Sequence, residues 1–92
     1  IKEEVIDKWI FSDNIWLKRV SILFQLKYKG KTDTDFLSKA ILNNSDTNEF
    51  FVDKAIGWAL REYSKTNKEW VRSFIDNSNL SKLSIKEVSK YL

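Results

Sequence analysis

The sequence has no cysteine, no histidine and no proline, and only two glycines among its 92 residues. Each absence removes chemistry. Without cysteine there is no disulfide, no thiolate nucleophile and no zinc–thiolate site. Without histidine the usual general base and the commonest metal ligand are also missing. Carboxylates do not fill the gap. Asp7, Asp13, Asp35, Asp46, Asp53 and Glu62 fall mostly at expected helix starts or beside Lys and Arg, where they read as caps or surface pairs. No glycine-rich phosphate loop and no metal-spaced cluster occurs. The expectation is a chain with no catalytic centre of its own and no metal or cofactor. No run of about 18 apolar residues is present, so no membrane span is expected. The opening IKEEVIDKWI lacks both an initiator methionine and the basic-then-apolar layout of a signal peptide. It reads as the interior of a longer, intracellular protein.

What is present favours helices. Apolar residues make up 42% of the chain and aromatics 14%, with four tryptophans, enough for a real core. No alternating apolar run is bounded by Asn-Gly or Asp-Gly turns, so strand signals are poor. The periodicity is helical instead. It predicts six helices, over 2–10, 13–29, 35–43, 48–65, 68–77 and 85–92. Ser12 and Thr34 precede two of them. Asp46 with Glu49, Thr66 with Glu69 and Ser84 with Glu87 have capping-box spacing. Short polar loops lie between, including Asn43-Asn44-Ser45.

The chain also repeats itself. SDNIWLKRVSILFQLKY (12–28) aligns with TNEFFVDKAIGWALREY (47–63) at an offset of 35 residues. Ile15 falls on Phe50, Trp16 on Phe51, Arg19 on Lys54 and Leu23 on Trp58. The short segments EVIDKWI, DFLSKAI and EWVRSFI recur at offsets of 31 and 34. A short and a long helix thus alternate. That pattern predicts an all-α, HEAT-like superhelix, a solenoid of antiparallel helix pairs whose apolar faces are buried by stacking.

The net charge of +3 is a mild excess, so placement matters more than the sum. On helix 48–65, Val52, Ile56, Ala59 and Tyr63 form an apolar stripe. Lys54, Trp58, Arg61 and Lys65 form a second stripe with the same spacing, and it is basic. Trp58 is open to two readings, a core ring or a ring on a binding surface. Three cations on its own stripe weigh against deep burial, because burying unpaired Lys and Arg is costly. A cationic groove with an aromatic plate suits nucleic acid. Arg19, at the repeat position of Lys54, extends the track. Gly57, in mid-helix, is read as a place where another helix comes close. Lys27, Lys29 and Lys31 fit charges at a helix C-terminus as well as a binding patch.

The segments KWIFSDNIWLKRVSILFQLKYK (8–29), EFFVDKAIGWALREYSKTN (49–67) and LSKLSIKEVSKYL (80–92) resemble the C-terminal part of AlkD-type DNA alkylation-repair glycosylases. The pattern FF-x-x-KAIGW-x-LREY is specific, and the resemblance covers nearly all of residues 1–92. It implies a DNA glycosylase that removes N3- and N7-alkylated purines in base-excision repair, acting on double-stranded DNA without metal or cofactor. It implies a monomer in the bacterial cytoplasm, associated with the nucleoid. Trp58 matches a lesion-contacting tryptophan of the family and Arg19 matches its backbone-binding arginine. Lys54, Arg61 and Lys65 are then expected to face DNA. The family's catalytic Asp and second Trp belong to an upstream helix; Trp9 and Trp16 do not match that Trp, and no Asp here replaces the catalytic one. The chain alone is therefore expected to be inactive. It departs from the family's Asn-Pro at Asn67-Lys68, which alters a helix start and not the site. The alternative is a non-catalytic solenoid that binds DNA or a protein partner.

Overall fold

A computed structural model describes residues 3–90. It is all-α: α1 (Glu3–Ile10), α2 (Ile15–Leu23), α3 (Thr34–Leu42), α4 (Phe50–Ser64), α5 (Lys68–Asp76) and α6 (Lys82–Ser89), with a single 3-10 turn at Lys29–Lys31. Among the described residues there is no strand. The expected ends of the first and last helices, at residue 2 and at residues 91 and 92, lie outside the described residues. No described helix is long and apolar enough to cross a membrane.

The helices form two layers. α2, α4 and α6 pack side by side in a row, α1 and α3 pack on α2, and α5 packs on α4. The molecule measures 31 × 29 × 19 Å. Its thin dimension is about two helix diameters, as a two-layer stack requires. α4 lies at the centre of the row, and Val52, Ala55, Ile56 and Leu60 are wholly buried there. Ile6 and Ile10 of α1, one turn apart, close the core at one end, and Val71 and Val88 close it at the other. Each of these Val, Ile and Leu side chains contributes roughly 1.5–3 kcal/mol by leaving water.

The helix starts follow different residues from those the spacing suggests. Asn14 caps α2, its side-chain oxygen accepting from the Trp16 N–H at 2.9 Å, while Ser12 accepts from Asn14. Asp33 caps α3 and Asn67 caps α5, each accepting a backbone N–H at 3.0 Å. Glu49 occupies the cap position of α4 without a side-chain bond, so the Asp46–Glu49 box does not form. Ser81 caps α6, three residues before Ser84. Ser84 is buried, and its hydroxyl donates to the Asp53 carbonyl at 2.7 Å. A cap needs a non-helical backbone as well as a polar side chain, and among neighbouring polar residues the spacing does not decide which adopts it.

α2 is shorter than expected. After Leu23 the chain tightens into successive three-residue turns, with Leu26 N–H to Leu23 O and Tyr28 N–H to Gln25 O. The buried Gln25 side chain closes this segment by pairing with both backbone groups of Asp33. Asn44, in one of the expected short polar loops, is fully buried and donates to the Ala40 carbonyl. Its oxygen accepts from the Lys18 ammonium at 2.7 Å, which also reaches the Ile10 carbonyl at 3.1 Å.

Candidate nucleic-acid interface

α4 carries the two expected stripes. Val52, Ile56 and Ala59 are buried and Tyr63 is half-buried, its ring edge-on to Trp70. Across the helix, Trp58 is 39% exposed and Lys54 is exposed. The basic stripe divides in two. Lys54 lies 5.5 Å from the Phe50 ring centre. Arg61 is half-buried and donates to Glu87 of α6 at 3.0 Å. Lys65 pairs with Glu62 at 3.2 Å. Part of the charge of the C-terminal half is therefore balanced inside the protein, and the N-terminal half presents Lys54 and Trp58 to solvent.

Arg19 joins that N-terminal half. Its Nε donates to the Phe51 carbonyl at 3.2 Å. Its guanidinium carbon lies 5.3 Å from the Trp16 ring centre and 5.9 Å from that of Phe51. Phe51 precedes Lys54 by three residues and Trp58 by seven, so all three share one side of α4. Arg19, Lys54 and Trp58 thus lie along one side, while Arg61 turns toward α6.

Three aromatic residues of this face have no site role in the sequence reading. Trp16 and Phe50 are each 53% exposed and Phe51 is 46% exposed. Their signal is an aromatic residue three or four positions before a cation, as in Trp16–Arg19 and Phe50–Lys54, which on a helix brings ring and charge together.

Other residues frame the face. A Cβ at Gly57 would lie 2.6 Å from the Glu87 Cβ and 3.1 Å from the Ser84 carbonyl oxygen, so the glycine admits α6. Asp53, expected as a cap or surface pair, is buried at the same α4–α6 contact. Burial pushes its carboxyl above the ordinary range, and a hydrogen bond with Ser81 works the other way. One turn past Trp58, a cavity of about 400 Å³ opens between the ends of α2 and α4, and Lys27, Lys29, Glu62, Tyr63 and Lys65 help to line it. Because α2 ends at Leu23, these first two lysines lie beyond the last turn, where a helix dipole acts. Among the described residues no three His, Cys, Asp or Glu side chains are grouped to hold a metal ion.

Comparison with known proteins bears on the family and the fold. A family model described as DNA alkylation repair enzyme matches residues 1–92. The solved structure of a protein described as a "Predicted DNA alkylation repair enzyme from Enterococcus faecalis" is 44% identical and superposes with a TM-score of 0.93. The match covers 98% of this chain and 42% of that one, so the chain spans less than half of the relative's length. No curated protein matches. An all-α chain matched over its whole length by the family model, with a close structural counterpart, belongs to the DNA alkylation repair enzyme family.

Proposed function

We propose that these residues form the lesion-contacting part of a HEAT-like DNA glycosylase that excises N3- and N7-alkylated purines in base-excision repair. What carries the reading is the exposed Trp58 on the same side of α4 as Lys54, with Arg19 fastened to the start of that row. An alkylated purine is cationic, and an indole face attracts a cation by about 0.5–2 kcal/mol, more as water is excluded. Lys54 and Arg19 supply charge for the phosphates on either side of the lesion, with Arg61 and Lys65 adding to the field further along α4. Cleavage of the N-glycosidic bond releases the purine as a neutral base and leaves an electron-poor, cationic sugar, to which water adds with loss of a proton to solvent. The carboxylate that stabilises that sugar comes, on this reading, from outside residues 1–92. The substrate is duplex DNA, the protein acts as a monomer in the cytoplasm, and these residues alone bind DNA without turnover.

The test is substitution of Trp58 by Ala in the complete reading frame. Release of N7-methylguanine from methylated duplex should fall at least tenfold while duplex affinity changes only a few-fold. Unchanged release would remove Trp58 from the site. Duplex binding with no release by the unsubstituted protein would favour a non-catalytic DNA-binding solenoid.

A further inference from the structure

Arg19 is half-buried and is held in an unusual way for a cation at the surface. Its guanidinium lies against two aromatic rings, Trp16 from its own helix and Phe51 from α4, at 5.3 and 5.9 Å. The two rings also touch each other, 5.6 Å apart and tilted by 36°. The Nε–H is fastened to the Phe51 carbonyl. Among the described residues no carboxylate pairs with Arg19, and neither terminal nitrogen has an acceptor. Arg61, by contrast, gives its Nη1 to Glu87. Both rings remain about half exposed, at 53% and 46%, so burial alone does not account for their place.

We infer that Trp16 and Phe51 are positioning residues that hold Arg19 as a preformed, two-pronged receptor for a DNA phosphate. The inference rests on the proposed DNA-facing reading of this side of α4. An arginine free in solvent must give up rotamer freedom when it grips an anion, which weakens the grip. Here the rings restrict the stem and plane of the guanidinium, and the Nε bond fixes its rotation. The Nη1 and Nη2 edge is left to meet two phosphate oxygens side by side. Lysine cannot do the same. Its one ammonium cannot keep a bond to the Phe51 carbonyl and also present a fork. The clamp also spans two helices, so the receptor exists only when α2 and α4 are packed.

The experiment combines a double-mutant cycle with a readout that needs no DNA, both in the complete reading frame. Trp16→Leu and Phe51→Leu keep apolar bulk and remove the ring faces, and thermal unfolding checks that each variant folds. Each should weaken duplex binding about two- to fivefold when Arg19 is present. Each should have no effect in an Arg19→Ala background. Arg19→Lys keeps the charge but not the fork, so it should bind more weakly than the parent, and the two ring substitutions should have no further effect in it. Equal losses with and without Arg19 would overturn the proposal, because the rings would then act on their own. The second readout is the Arg19 Nε–H signal by NMR. It should exchange slowly with water, shift on addition of inorganic phosphate, and lose both properties in the double ring variant. A signal that exchanges as fast as free arginine overturns the clamp even in a protein that binds DNA. A protein that fails to bind duplex but keeps the slow, phosphate-responsive signal overturns the DNA reading and leaves the clamp as a receptor for phosphate.

Discussion

Gly57 and Asp53 meet the same neighbour, α6, and make opposite demands on it. Gly57→Ala gains about 0.5–1 kcal/mol of helix propensity. It also pushes a methyl into the Glu87 Cβ at 2.6 Å, which lies at the root of that side chain and cannot swing away. Overpacking of this kind costs about 1–3 kcal/mol. The variant should therefore unfold several degrees below the parent in a thermal melt, and an unchanged or raised midpoint would contradict the α4–α6 contact. Asp53 titrates the other way from a paired surface carboxylate. Burial raises its carboxyl in the folded state, so the folded chain holds that proton more tightly than the unfolded one. Its contribution is most favourable below the ordinary value of 3.8 and is lost as pH rises through the raised value. Urea unfolding should find Asp53→Asn more stable than the parent at pH 7, with the gap closing below the ordinary range. At this scale the sequence was partly legible. Three cations beside Trp58 marked a stripe on which deep burial would be costly, and Trp58 is exposed. Nothing local marked Asp53 as buried, because its burial is imposed by a helix about thirty residues further on.

The elements were legible as periods and poorly legible as boundaries. Six helices follow from apolar spacing, and α2 and α4 begin 35 residues apart, as the repeat requires. The expected alternation of short with long helices does not hold, because α2 has nine residues, as α3 and α5 do, and α4 alone among the described helices is long. The caps were misplaced because Ser, Thr, Asn and Asp crowd every loop. Asn67 and Thr66 separate the two readings of one such start. Asn67→Ala should cost about 0.5–2 kcal/mol, since its side chain satisfies the Trp70 N–H. Thr66→Ala should stay within about 0.5 kcal/mol, as for an exposed surface change. A larger loss at Thr66 than at Asn67, by urea unfolding, would restore the Thr66–Glu69 capping box. Lys18 makes a second case at this scale. It joins α1 to the turn after α3 through the Ile10 carbonyl and the buried Asn44. Lys18→Met keeps the apolar stem and strands the Asn44 oxygen, at a cost of about 1–3 kcal/mol. A neutral Lys18→Met would mean that water reaches Asn44. Neither Asn44 nor Gln25 was legible as buried, for Asn44 is met by the Lys18 ammonium of α2 and Gln25 by the backbone of Asp33, and neither partner arrives until the helices have packed.

At the scale of the molecule, a two-layer stack puts α2, α4 and α6 in one row, and the row gathers what the sequence scatters. Arg19, Lys54 and Trp58 come from two helices and meet along one side. Repeat alignment made Arg19 and Lys54 equivalent, which is why the track was visible before the structure. It did not reveal that Arg61 would turn to Glu87, a residue of α6 for which the repeat offers no counterpart. Electrostatic contact with phosphates predicts salt dependence. Arg19→Ala and Lys54→Ala should each lower the slope of log affinity against log salt by about one. Salt-independent binding would exclude a phosphate-facing role for both.

On the proposed reading, this face meets an alkylated purine in duplex DNA. The decisive measurement is release of N7-methylguanine from methylated duplex by the complete reading frame, with and without Trp58→Ala. The parent protein should release the base, and the variant should lose at least tenfold while still binding duplex. A folded parent that binds duplex and releases no base, or a Trp58→Ala variant as active as the parent, would contradict it.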